Sequence, residues 1–227
     1  AKRGGAEIIK GTAKKILTEN GAVSGVLLEN GEALPADSVI LATGGMSYPL
    51  TGSTGDGYKI ARALGHTVTE IKPSLVALNA HEGFCERLAG LSLKNVALSV
   101  FEEGRKKPVF SELGEILFTH FGISGPLVLS ASAHMRYIGK KQYTAAIDLK
   151  PGLTPEQLDK RILRDFDEEK NRDFINSLNK LLPKSLIPIV VRLSCIEPDR
   201  KVNSISREQR AALCMVLKEF TLHITGT

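Results

Sequence analysis

An α+β fold is predicted by three features of the sequence. Two Asn-Gly pairs, Asn20-Gly21 and Asn30-Gly31, separate short runs rich in branched apolar residues. A continuous apolar run at 37–42 meets a glycine-rich loop and then a helical pattern. From Thr154 onward, strand-like runs give way to helical spacing.

Each element follows from local chemistry. Asn-Gly favours the tight hairpin turn because both residues tolerate positive φ. The runs at 13–17, 22–28 and 33–35 are therefore predicted to form a three-stranded antiparallel meander, preceded by a short extended run at 7–10. The run at 37–42 lacks alternation, as expected of a buried and often parallel strand. Beyond Gly52-Ser53-Thr54-Gly55-Asp56-Gly57, residues Ile60, Ala61 and Leu64 share a helical face that Gly65 can cap at C′. Lys72-Pro73 breaks this pattern. Strands are predicted at 74–78, 92–101, 108–110, 115–119 and 143–149, with a small helix at 124–136 carrying Pro126 in its first turn. Thr154-Pro155-Glu156-Gln157 is a capping box with Pro at N1, and Leu158, Ile162 and Phe166 follow on one face. Ser206-Arg207-Glu208-Gln209 opens a second helix, whose apolar face is Leu213, Val216, Leu217 and Phe220.

Composition narrows the functional classes. Of 227 residues, 42% are hydrophobic and 24% charged, which is globular and not disordered. No run approaches the ~20 apolar residues of a membrane helix. Cys85, Cys195 and Cys214 are too far apart for a C-x-x-C site and are expected as buried thiols in a reducing, cytoplasmic setting. The five histidines show no i, i+3 or i+4 pairing, so no metal site is expected. The net charge of +5 would suit a polyanion. However, Arg105-Lys106-Lys107 and Lys140-Lys141 have the character of turn tips, and no nucleic-acid partner is expected.

Two segments can carry chemistry. The first joins Ala42-Thr43-Gly44-Gly45 to Thr54-Gly55-Asp56-Gly57. Glycines after a buried strand let the backbone approach a flat or charged ligand, and amides at a helix start favour anions. It is not a Walker A loop, because Tyr58-Lys59 follows where Lys-Ser or Lys-Thr is needed. The bland alternative is a tight connection with Asp56 as N-cap. The second segment, 117–126, sets His120 and Ser124 beside two glycines between a strand and a helix. It fails the G-x-S-x-G pattern of a nucleophile elbow. Its bland alternative has Ser124 capping the helix.

Residues 36–66, ADSVILATGGMSYPLTGSTGDGYKIARALGH, closely resemble a family of bacterial NAD(P)/FAD-dependent oxidoreductases of the YhiN/BaiN or aminoacetone-oxidase-like type. ILFTHFGISGPLVLSAS, residues 116–132, resembles that family's second hallmark, and the likeness runs over essentially the whole chain. The resemblance implies a Rossmann-like FAD domain interrupted by an inserted domain. Under it, residues 1–71 are a partial Rossmann-like FAD-binding segment made of meander, strand, glycine loop and helix. Residues 72–220 are an inserted substrate or cap domain with a β-rich half and a helical half, and 221–227 begin the return to the FAD domain. The family's G-x-G-x-x-G loop and its closing FAD segment have no counterpart here, so an internal fragment is expected. The resemblance places Ala42, Thr43, Gly44, Gly45, Gly55, Asp56 and Gly57 along FAD. It places His120 and Ser124 on the domain facing the flavin, where a substrate-side catalytic role is expected. The implied chemistry is hydride transfer between flavin and a small organic substrate, with NAD(P)H as an electron donor. The alternative is a non-catalytic insert that binds a substrate or protein without FAD. Unpaired edges of a partial sheet further suggest a homodimer.

Overall fold

A computed structural model describes residues 5–227. Its contacts divide the chain into two units, 1–72 and 73–227.

The first unit contains the meander. Strands β1 (Ala13–Glu19), β2 (Ala22–Leu28) and β3 (Ala33–Pro35) pair antiparallel in the order β1-β2-β3, turning at the two Asn-Gly pairs. Helix α1 (Asp56–Ala63) buries Ile60, and Gly65 at φ +88° follows its C-cap Leu64. The run at 37–42 departs from expectation. It forms no strand, and Ile40 is 92% exposed. An extended segment becomes a strand only when a neighbour takes its amides and carbonyls, and among the described residues no strand lies beside it. The parallel-strand part of the predicted Rossmann-like segment is therefore not formed in this chain.

The second unit is a closed six-stranded barrel with a helical insertion. The barrel strands are β4 (Leu78–Ala80), β5 (Ser92–Glu102), β6 (Phe110–Thr119), β7 (Gly122–Ser124), β8 (Tyr143–Asp148) and β9 (Phe220–Gly226). They close in the order β4-β7-β6-β5-β8-β9. Their inward residues alternate as strand geometry requires: Val96, Leu98 and Val100 on β5, Tyr143, Ala145 and Ile147 on β8, Phe220, Leu222 and Ile224 on β9. On β5 the phase changes at Asn95 (φ +55°), where the register slips between Leu93 and Val96 and both side chains stay inside. Helix α2 (Phe84–Arg87), which the sequence pattern does not announce, packs Phe84 into this core. Helix α3 (Pro126–His134) lies against β6.

Residues 221–226 lie in β9, which hydrogen-bonds to both β4 and β8. Closing the barrel satisfies both edges of β4, β8 and β9.

The helices α4 (Pro155–Glu168), α5 (Phe174–Ser177), α6 (Ile187–Leu193) and α7 (Arg207–Lys218) fill the connection from β8 to β9. Capping boxes at Thr154 and Ser206 start α4 and α7, each satisfying an otherwise orphaned amide for about 1 kcal/mol. Leu158, Ile162 and Phe166 are buried on one face of α4. Arg210 donates to Asp159 at 2.9 Å, joining α7 to α4. Lys218 pairs with Asp148 and donates to the carbonyls of Lys150 and Leu153, fixing the end of α7 to the end of β8.

Two cysteines behave as expected and one does not. Burial pushes the Cys85 and Cys214 thiols up to about 11, with the Glu82 and Asp159 carboxylates adding to the rise. Cys195 is exposed. At pH 8 the native protein is therefore expected to react with one equivalent of a thiol-specific reagent, at Cys195, and with three after unfolding. Mass spectrometry of the labelled peptides checks this.

Candidate functional site

The loop preceding α1 is built from glycines that allow side chains to pass under the backbone. Gly44 (φ +75°) and Gly55 (φ +79°) take left-handed conformations. The Gly55 amide donates to the Gly45 carbonyl at 3.1 Å, which ties the two halves of the loop together. A Cβ on Gly57 would fall 2.3 Å from Thr43 Oγ1, and one on Gly55 would fall 2.7 Å from the Met46 side chain. These glycines are thus required by the loop itself.

Asp56 is the first residue of α1, and the N-cap is Gly55, so the N-cap alternative for Asp56 does not hold. Its carboxylate accepts from the Thr54 hydroxyl and from Lys59 Nζ at 2.8 Å. Those two hydrogen bonds, Lys59's the larger, hold its carboxyl below the usual carboxylate range. No side chain caps the first turn of α1. The amide end of the helix thus remains open to an anion while a fixed negative charge stands beside it. A cofactor that brings both phosphate oxygens and hydroxyl donors suits that combination. Ala42, Thr43 and Gly44 are exposed and Gly45 half-buried, so the loop can be approached. The residues present therefore fit the edge of a dinucleotide.

His120 and Ser124 do not come together by any hydrogen bond. His120 is exposed in the β6–β7 turn, edge-on to Phe121 with ring centroids 4.8 Å apart. Ser124 is half-buried in β7 opposite Leu117, and Gly125 is the N-cap of α3, so Ser124 does not cap that helix. Beside them the Thr119 hydroxyl is buried without a partner. The sequence pattern misses a further pair. Glu82 accepts from His223 Nδ1 at 2.6 Å and from the His223 amide at 3.0 Å. The contact orients the His223 ring, whose side chain is otherwise exposed. No local signal could have shown this, because barrel closure alone brings residues 82 and 223 together.

Residues 72–227 match the family described as HI0933-like protein barrel and H2TH domain. The chain is 30% identical over 205 residues to the 3-dehydro-bile acid delta(4,6)-reductase of Clostridium scindens, covering 89% of this chain and 49% of that protein. It is 29% identical over 198 residues to the ribosomal RNA dihydrouridine synthase of Escherichia coli, covering 87% of this chain and 46% of that protein. Against the ribosomal RNA dihydrouridine synthase of Haemophilus influenzae it is 30% identical over 184 residues, covering 80% and 42%. The chain spans about half the length of these curated relatives. The six-stranded barrel at residues 78–226 lies within the matched residues. The chain belongs to the HI0933-like family of YhiN/BaiN-type flavoproteins, with its barrel and H2TH domain at residues 72–227.

Proposed function

We propose that this chain is part of an FAD-dependent reductase that saturates a carbon–carbon double bond conjugated to a carbonyl. The activities for which the relatives are named are one reaction on two substrates. A delta(4,6)-reductase acting on a 3-dehydro compound and a synthase making dihydrouridine both add two hydrogens across a double bond. In each case the neighbouring carbonyl can hold the negative charge that forms when hydride arrives at the far carbon. Flavin supplies hydride chemistry when bound. This chain's own residues bind, orient and deliver a proton.

The open amide end of α1 beside Asp56 carries the proposal. Amides of the loop would donate to cofactor oxygens, and Asp56, held by Thr54 and Lys59, would accept from a hydroxyl. His120, exposed in its turn, is the proposed proton donor to the carbon next to the carbonyl, with Ser124 as a polar contact to the substrate.

The intact protein is expected to purify yellow. Asp56→Ala is expected to retain flavin ~10-fold less tightly, since one charge-assisted hydrogen bond is worth roughly 1.5 kcal/mol. Gly57→Val, which drives a branched Cβ into the Thr43 hydroxyl, is expected to lose flavin altogether. His120→Ala is expected to keep its flavin and lose turnover. A colourless intact protein that takes up no FAD would overturn the assignment.

A further inference from the structure

The two basic clusters that look like separate turn tips in the sequence meet at one rim of the barrel. Glu102 causes this. It lies on β5 in phase with Val96, Leu98 and Val100, so it points inward, and its side chain is only 3% exposed. A carboxylate there must be paired. Lys141 Nζ lies 2.6 Å from Oε1, Arg105 Nε lies 3.2 Å from the same oxygen, and the Tyr143 hydroxyl donates to Oε2 at 2.9 Å. Hydrogen bonding to Lys141, more than any other contact, holds the Glu102 carboxyl below its ordinary range. The backbones join as well, since the Glu103 amide donates to the Gln142 carbonyl at 2.9 Å. The turn at 102–107 is thereby stapled to the turn at 136–141.

The charge of the chain is concentrated here. Across these two turns stand Arg105, Lys106, Lys107, Arg136, Lys140 and Lys141 against Glu102 and Glu103. The chain has 30 Lys and Arg against 25 Asp and Glu, so four of its five net positive charges fall on this rim and the remainder is nearly neutral. All six cations are exposed. Tyr137, 44% exposed, stands among them with the Lys141 ammonium 5.1 Å from its ring centroid. Cations spaced along two neighbouring turns with an exposed aromatic between them suit phosphates and an unstacked base. A lipid surface would call for exposed aliphatic side chains to insert. Within these turns Ile138 is half-buried, and Tyr137 is the exposed large apolar residue.

We propose that the rim formed by residues 102–107 and 136–141 is a contact surface for the backbone of single-stranded RNA. The proposal extends the uridine arm of the reductase reading, yet it is tested without reference to flavin. The probe is a fluorescein-labelled 20-nucleotide uridine-rich RNA, titrated by anisotropy between 50 and 200 mM KCl. The wild-type chain is expected to bind with a strong inverse salt dependence. Neutralising Arg105, Lys106, Lys107 and Lys140 together to Gln, with Lys141 kept as the staple, is expected to weaken binding at 50 mM by at least ~10-fold. The same variant is expected to flatten the salt slope by about 3, at ~0.7 per phosphate contact. Neutralising Lys14, Lys15, Lys94 and Lys184 instead is expected to change the slope far less. Tyr137→Ala is expected to weaken binding by ~5-fold or more at unchanged slope, because it removes stacking and no charge. That variant also serves if the fourfold one fails to fold. The proposal is overturned if the wild type leaves the RNA unbound at 50 mM, or if the rim variant binds as the wild type does. Binding to vesicles containing phosphatidylglycerol without binding to RNA also overturns it.

Discussion

Gly122→Ala is expected to destabilise the barrel by about 3 kcal/mol or more, which a denaturant melt would report as a lower midpoint. Gly122 opens β7, the short strand between β4 and β6. A Cβ on it would lie 2.2 Å from the Leu78 carbonyl oxygen and 2.7 Å from the Ala80 amide nitrogen. Both atoms are backbone, so no rotamer change relieves the overlap, and β4 must move away from β7. That movement breaks pairing at a point where the Ala80 amide donates to the Phe121 carbonyl at 2.9 Å. A buried donor left unpaired adds about 1–3 kcal/mol to the steric cost. Gly152→Ala is the matched control: a Cβ there meets nothing within 4 Å, and its effect is expected to stay within ~0.5 kcal/mol. If the two variants melt alike, the tight β4–β7 approach is wrong.

Phe220→Ala is expected to cost about 4 kcal/mol, within the range of buried Phe truncations. Phe220 is 1% exposed and starts β9. Its ring meets Phe84 of α2 at 5.5 Å between centroids and Phe118 of β6 at 6.3 Å, both edge to face. The cluster therefore joins the last barrel strand to a strand and a helix from far earlier in the chain. At roughly 2–4 °C per kcal/mol for a chain of this size, Tm should fall by about 8–16 °C. A double-mutant cycle with Phe84→Ala should show a coupling of about 0.5–1.5 kcal/mol. A coupling near zero would mean the rings are not in contact.

The features legible in the sequence are those whose cause is local. Asn20-Gly21 and Asn30-Gly31 set their turns because left-handed φ is needed within two residues. Thr154 and Ser206 set their helix starts because the capping box closes within four residues. Leu158, Ile162 and Phe166 mark the buried face of α4 by spacing alone. Features that depend on partners were not legible. The run at 37–42 has the composition of a buried strand and lies exposed, since burial requires a neighbour that composition cannot supply. Nothing local shows that 220–226 is a strand pairing with β4 and β8, and by spacing Phe220 reads as part of the preceding helix's apolar face. For the same reason the Glu82–His223 pair and the stapling of two turns by Glu102 were missed. At the candidate cofactor loop the glycines take the left-handed turns at Gly44 and Gly55 that their spacing suits. The spacing could not show that Thr43 and Met46 occupy part of the space so created.

The barrel's order of pairing has a consequence for biosynthesis. Five of its six strands emerge from the ribosome before the helical insertion, and the strand that seals it comes last. Until residue 226 has been made, β4 and β8 each carry an open edge through the translation of more than seventy residues, which at ~5–20 residues per second takes several seconds. The nascent chain thus holds two adhesive seams for that interval, and a holdase chaperone that shields strand edges should matter more to its yield than one that acts on the finished protein.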